Sequence, residues 1–246
     1  MALIVRALAA TYYDGHHIEP HAHPWGQLIY AATGVMRVNA AERMWIVPPA
    51  RAIWAPAGLR HEIFAHGDFA MRTVYLSPSL AGSLPQDCRA VDVTPLLREM
   101  ILHIVAIQLL DEDTPLHRAW ASVLMERLAD AEVLPLSLPL PSDPRALRAA
   151  ERLRAEPGAA VELDALARHA GASARTLQRL FLEETGLRFA EWRQRLRLIH
   201  AAVLLGAGSS VTEAGLEAGY ASTSAFIAAF RKQFGRTPAR LRIAAT

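Results

Sequence analysis

Ser173-Ala-Arg-Thr-Leu-Gln-Arg-Leu-Phe-Leu-Glu-Glu-Thr-Gly186 and Ser222-Thr-Ser-Ala-Phe-Ile-Ala-Ala-Phe-Arg-Lys-Gln-Phe-Gly235 are two copies of one pattern, offset by 49 residues. Ser173, Leu177, Phe181 and Gly186 recur as Ser222, Phe226, Phe230 and Gly235, the mark of a repeated structural unit. In each copy the serine suits a helix N-cap and the next two residues of the set share one helical face. The glycine can end the helix in a left-handed conformation. Just upstream, Leu163–Ala170 runs into Gly171 and Val211–Ala218 runs into Gly219. Helix, glycine turn, capped helix is the order of a helix-turn-helix.

Leu177, Leu180 and Phe181 face inward in the first copy, which turns Arg175, Gln178 and Arg179 outward together. A guanidinium can pair with guanine and a carboxamide with adenine, and the start of a recognition helix reaches deepest into the major groove. In the second copy the outward residues Thr223, Ser224 and Ala228 are small, while Arg231 and Lys232 one turn on suit phosphates. Gly215, beside Ala214 in the middle of a predicted helix, costs on the order of 1 kcal/mol relative to alanine and marks this copy as the looser one. Between the copies Phe189–Leu205 reads as one helix, about 26 Å long at the standard rise. Such a rod can set two reading helices near the ~34 Å repeat of the major groove.

Working outward, the charge divides where the pattern does. Residues 1–142 carry 10 arginines against 14 carboxylates, a net of −4, and residues 143–246 carry 16 cations against 10 carboxylates, a net of +6. A polyanion would bind the second half. Leu134-Pro-Leu-Ser-Leu-Pro-Leu-Pro-Ser-Asp-Pro144 separates the halves, and its prolines predict an extended linker over 134–144. An all-α domain is expected at 145–246 and a sensor domain at 1–133. The 246 residues hold one cysteine, Cys88, so no intrachain disulfide can form and a reducing cytoplasm fits. The apolar run Ala2–Ala10 is interrupted by Arg6 and reads neither as a leader nor as a membrane span.

The front half alternates β-rich runs, Gln27–Tyr30, Val35–Val38, Trp45–Val47, His61–Ala65 and Met71–Leu76, with glycine and proline turns. A small antiparallel barrel or sandwich is expected. Leu97, Ile101, Ile104 and Val105, then Leu116, Trp120, Val123, Leu124 and Leu128, recur at helical spacing, predicting two trailing helices broken near 111–115. The predicted class is α+β in two domains, an antiparallel barrel with trailing helices and an all-α pair of helix-turn-helix units.

Ser173-Ala-Arg-Thr-Leu-Gln-Arg-Leu-Phe with Thr185-Gly186, and Gly219-Tyr-Ala-Ser-Thr-Ser-Ala-Phe-Ile followed by Phe230-Arg and Phe234-Gly-Arg-Thr-Pro238, resemble the paired signature of AraC/XylS-type transcription regulators over about 100 residues. The resemblance implies a DNA-binding regulator of transcription, with an N-terminal effector and dimerisation domain. It implies base reading by Arg175, Gln178 and Arg179 and by Thr223, Ser224 and Ala228. Gly215 with Ala214 departs from the family, which usually has alanine preceded by a larger aliphatic. Gly15, His21, His23, Gln27 and Gly34 resemble the first cupin motif, and Pro56, Gly58 and His61 the second. In metal cupins two histidines and an acid of the first motif converge with the histidine of the second on a divalent metal. Here Gln27 stands in the acid's place, and His21, His23, Gln27 and His61 are the candidate ligands of a divalent transition metal. The same polar groups could instead bind an organic effector or one another, and Trp25, Gln27, Tyr30, Trp45 and Trp54 are candidates to line that cavity.

A cytoplasmic, effector-responsive regulator acting as a homodimer through helices at 96–131 is therefore expected, with double-stranded DNA as its partner and no enzymatic activity. Two other readings stay open: a constitutive DNA-binding protein whose barrel only dimerises, and a cupin metalloenzyme fused to a DNA-binding domain.

Overall fold

The computed structural model describes residues 2–49, 51–134, 136–235 and 237–243, and leaves out the side chains of His66, Leu134, Leu241, Arg242 and Ile243. The chain forms two compact units, one holding most of residues 1–136 and the other holding 137–244 with Glu42–Met44. Among the described residues no helix is long and apolar enough to cross a membrane.

The first unit is built on β1 (Leu3–Tyr12), β2 (His17–His21), β3 (Gly26–Ala40), β4 (Arg43–Val47), β5 (Arg51–Ala55) and β6 (His61–Leu76), then α1 (Pro78–Ala81), β7 (Arg89–Asp92), α2 (Pro95–Ile107), β8 (Leu109–Asp111), α3 (Pro115–Ala129) and β9 (Val133–Leu134). The sheet runs β8-β1-β6-β3-β5-β7-β9, with β2 also on β6 and β4 also on β3. The pairs β1–β6, β3–β6 and β3–β5 are antiparallel. Two of the predicted strand pairs turn out to be single long strands. Gln27–Tyr30 and Val35–Val38 both lie in β3, and His61–Ala65 and Met71–Leu76 both lie in β6. Gly34 does not end β3 but bends it, at φ 73°, where the β3–β6 register shifts. A Cβ at Gly34 would meet the Asp68 carbonyl at 2.2 Å, so the close strand crossing requires glycine. β1 went unread in the sequence because only Ile4 and Val5 of its ten residues are fully buried, too weak an alternation to register.

Leu97, Met100, Ile101 and Ile104 of α2 and Leu124 and Leu128 of α3 close on Leu28, Tyr30, Trp54, Val74 and Leu76 of the sheet. Most of the apolar stripe expected at 96–131 therefore serves the unit's own core, while Leu116 and Val123 of that stripe are exposed. Asp111 sets the entry to α3: its carboxylate accepts from Thr114 N at 2.7 Å and pairs with His117 Nδ1 at 2.7 Å.

The second unit contains β10 (Ser137–Pro139), α4 (Pro144–Ala155), α5 (Leu163–Ala170), α6 (Ala174–Thr185), α7 (Phe189–Gly206), α8 (Val211–Glu217), α9 (Thr223–Phe234) and α10 (Pro238–Ile243). Both repeats have the predicted ends. Ser173 accepts from Thr176 N and Ser222 from Ala225 N, while Gly186 and Gly235 close α6 and α9 in the left-handed region. The proline-rich segment differs from its reading as a spacer. Leu138 is fully buried and the Pro139 carbonyl accepts from Trp192 Nε1 at 2.7 Å, so its second half packs into the helical unit. Pro135, inside the same predicted linker, lies outside the described residues, as do residues 244–246 of the predicted domain.

Gly215 also has a physical reason. A methyl there would meet Phe226 Cδ1 at 2.9 Å and Cγ at 3.0 Å, and Phe226 is fully buried in the core with Ala214, Ala218, Leu205 and Phe230. The ring occupies the space that an alanine would fill. Gly215→Ala gains about 1 kcal/mol of helix propensity but overpacks the core by about 1–3 kcal/mol. We expect a net loss of about 1 kcal/mol and a lower thermal midpoint by circular dichroism; a raised midpoint would show that Phe226 gives way.

Candidate nucleic-acid interface and effector site

Capping and packing of α6 orient its outer face. Leu177, Leu180 and Phe181 are buried, and Arg175, Gln178 and Arg179 are all exposed, as their spacing predicts. Arg179 Nη1 pairs with Glu183 Oε2 at 2.5 Å, one turn on, with both side chains more than half exposed. Such a surface pair is worth no more than ~1 kcal/mol, so a guanine edge or a phosphate can displace it. On α9, Ser224, Ala228, Arg231 and Lys232 are exposed and Thr223 is half-buried, leaving a flat, small-residue face with its two cations a turn further along.

A third basic element escaped the sequence reading. An open groove of about 1080 Å³ is walled on one side by Arg175, Gln178 and Arg179 and on the other by Arg188, Arg193 and Arg197. The last two lie on α7, which reads from sequence as a connecting rod. Their i, i+4 spacing is the signal that could have found them.

In the sheet unit the histidines come together. β2 ends at His21, which pairs with His61 across a register shift, and His23 lies in the loop beyond. That loop is held by a hydrogen bond from Gly58 N to the His23 carbonyl at 2.8 Å. Ring centroids are 4.4 Å apart for His21 and His61 and 5.3 Å for His23 and His61. One ring nitrogen from each lies within 4.8 Å of the others.

Each ring is aimed by a backbone carbonyl. His21 Nδ1 meets Glu19 O at 2.8 Å, His23 Nδ1 meets Trp25 O at 2.7 Å and His61 Nδ1 meets Leu59 O at 2.9 Å. A carbonyl only accepts, so each Nδ1 carries a proton. His61 Nε2 is buried without a hydrogen-bond partner, which is costly unless a ligand satisfies it. Burial, with the neighbouring His21 and His23 adding to it, holds the His61 imidazolium at about 4, and the Leu59 carbonyl offsets only part of this. Its ring is therefore neutral at pH 7 and available as a donor.

Gln27 completes the cluster. Its Oε1 lies 2.9 Å from His23 Nε2, and its Nε2 donates to Thr73 Oγ1 at 2.9 Å and Tyr75 OH at 3.1 Å. With the NH₂ committed to Thr73 and Tyr75, the amide presents its oxygen to His23, and that bond needs a hydrogen on His23 Nε2. Three imidazoles and an amide oxygen suit a borderline transition metal, which would take the place of that hydrogen and keep its double charge uncompensated. The residues therefore fit such an ion.

The aromatic residues proposed to share this cavity divide, and for two of them the expectation is corrected. Leu28 pairs with Trp54 and Tyr30 with Ala52, placing Tyr30 and Trp54 on the sheet face opposite Gln27. Both are buried in the core under α2 and α3. Trp54 donates to the Pro85 carbonyl at 2.8 Å, and the cavity beside it holds about 10 Å³, room for one water at most. Trp45 is buried with Nε1 on the Ala40 carbonyl at 3.3 Å. Trp25 stays next to the cluster, half-buried, with the Arg6 guanidinium 4.8 Å from its ring centroid.

Residues 4–190 match the family described as the AraC-like ligand binding domain, and residues 166–243 match a helix-turn-helix domain family. Over 223 residues, 89% of this chain, the sequence is 35% identical to the HTH-type transcriptional regulator NimR of Escherichia coli K12, covering 80% of that protein. It is 41% identical over 100 residues, 41% of this chain and 30% of the other, to the HTH-type transcriptional regulator RipA of Corynebacterium glutamicum. A solved AraC-type transcriptional regulator from Chromobacterium violaceum is 29% identical with a TM-score of 0.40, covering 42% of this chain and 93% of that one.

Arg175→Ala or Arg179→Ala should relax base preference at one or two positions, at a cost of about 1–3 kcal/mol if the contact is bidentate. Arg231→Ala or Lys232→Ala should weaken binding to every sequence and flatten its salt dependence. Binding-site selection and salt titration check both, and an unchanged preference or an unchanged salt slope removes the residue concerned from its role.

Proposed function

Because the chain belongs to the AraC family of transcription regulators, we propose that its two helix-turn-helix units read one operator sequence-specifically, and that a ligand reaching the imidazole cluster of the sheet unit changes that binding. The observation that carries the second half is the buried, unpartnered His61 Nε2 beside two further imidazoles whose Nδ1 atoms are engaged by backbone carbonyls. Carbonyl-oriented rings are how proteins prepare imidazoles to meet an ion.

The ligand we propose is a divalent transition metal, held by His21, His23 and His61 with Gln27 as the fourth donor. It supplies positive charge that the neutral donor set does not cancel. The protein's part is to keep the His61 ring neutral and all three rings aimed by backbone carbonyls. Moving Gln27 toward the ion would release its contact with His23, or its bonds to Thr73 on β6 and to Tyr75. That rearrangement couples occupancy to the geometry of the β3–β6 pair, the longest in the sheet. Leu96, Leu116 and Val123, exposed on α2 and α3 after the core is packed, are the proposed surface for a homodimer. The relatives it matches are transcription regulators, and no catalytic role is proposed.

Calorimetric titration of chelator-treated full-length chain with zinc, nickel or manganese should show one ion per chain. Saturation should shift the affinity for operator DNA by about fivefold or more, a coupling of about 1 kcal/mol. The combined His21→Ala, His23→Ala and His61→Ala variant should lose both responses and keep its metal-free DNA affinity. Equal ion uptake by that variant would discard the site.

A further inference from the structure

The irregular segment between α4 and α5, Pro157–Val161, contributes no buried side chain to either helix-turn-helix unit, yet its backbone is held on two sides. Two arginines of α7 reach across to it. Arg193 Nη1 donates to the Val161 carbonyl at 2.7 Å and Nη2 to Ala159 at 2.8 Å. Arg197 donates to Pro157 at 3.2 Å and again to Ala159 at 3.2 Å. Two guanidiniums on one carbonyl repel each other, and each is kept there by the second carbonyl it binds.

On its other side the segment lies against the turn of the second helix-turn-helix. A Cβ on Gly158 would fall 1.9 Å from the Glu217 carbonyl oxygen and 3.3 Å from Gly219 N. The approach is reciprocal, because a Cβ on Gly219, at φ 80°, would fall 2.5 Å from the Gly158 carbonyl and 3.2 Å from the Arg197 guanidinium. Backbone packed on backbone leaves no room for any side chain at Gly158. The segment that leads into the first helix-turn-helix is thus fastened to the turn that precedes α9 of the second.

We infer that Pro157–Val161 is a brace that fixes the separation and phase of α6 and α9 on duplex DNA, with Gly158, Arg193 and Arg197 as its positioning residues. α7 alone is one rod, and a body attached to one rod can rock about it. A second tie, off the axis of that rod, removes the freedom. The consequence for recognition is geometric: one inserted base pair moves the second target by about 3.4 Å along the duplex and turns it by about 34°. A braced pair of helices cannot follow such a shift, whereas an unbraced pair can.

The inference rests on the proposed two-unit reading of an operator, and the experiment separates the two. Full-length wild type, Gly158→Val, and the double variant Arg193→Lys with Arg197→Lys are each used to select sites from a random duplex library. The spacing between the two recovered base blocks is the readout. Lysine keeps the positive charge but lacks the planar fork with which each guanidinium holds two carbonyls, so it loosens the brace without changing the net charge. Wild type should recover one spacing and lose at least about tenfold in affinity on insertion of one base pair, as for a misplaced reading contact. Both variants should recover several spacings and lose less than about threefold on that insertion. If Gly158→Val fails to fold by circular dichroism, the lysine pair alone decides. Variants that weaken binding uniformly, yet reject the inserted base pair as sharply as wild type, overturn the brace. If wild type recovers a single unpaired block, or no sequence at all, the operator reading falls and the brace with it.

Discussion

One helix is buried in two cores at once, and the helical unit is organised around that constraint. The start of α7 puts Phe189 and Trp192 edge-on against Phe181, with ring centroids 5.2 and 5.0 Å apart. Its end puts Leu198, Ala201, Ala202 and Leu205 against Phe226 and Phe230. A helix of 18 residues, about 27 Å long at 1.5 Å per residue, therefore carries both reading helices, each through its own core. Small residues where α7 meets α8, with Gly215 under the Phe226 ring, let the second core close at short range. The same need for close approach recurs at Gly158 and Gly219, where backbones touch directly.

The sheet unit poses the opposite problem, polar groups that must stay in place inside a folded domain. The backbone provides the solution, since three carbonyls fix three imidazoles and Thr73, itself hydrogen-bonded to the Leu28 carbonyl at 3.0 Å, fixes the Gln27 amide. What this leaves facing the centre of the cluster is the unpartnered Nε2 of His61. An acidic residue at position 27 would set a negative charge beside the imidazoles, whereas the glutamine adds none. The two units thus use burial differently. One converts apolar side chains into a stiff frame, and the other holds a few polar atoms away from water so that a ligand can satisfy them.

Much of this was legible locally. The ends of α5, α6 and α9 follow from Gly171, Ser173, Gly186, Ser222 and Gly235, because caps and left-handed glycines act over three or four residues. The outward set Arg175, Gln178 and Arg179 follows from the buried set by helical periodicity alone. The side assignment of Tyr30 was also within reach. Tyr30 is three residues from Gln27, and an odd step along a strand reverses the face. For Trp54, on β5, the side follows only from its pairing with Leu28 across the β3–β5 register.

The sequence by itself determined the repeat, its caps and the basic second half, which rest on interactions between residues close in the chain or on composition, while the histidine set was named only through the resemblance to the cupin motifs. Only the tertiary structure decided that Gly34 bends a strand instead of ending it, that the proline-rich stretch joins the helical core through Trp192, and that Arg193 and Arg197 of a connecting helix grip a loop some forty residues earlier. Those outcomes depend on which backbone carbonyls and which cavities lie opposite a residue in space, and distance along the chain carries no information about that.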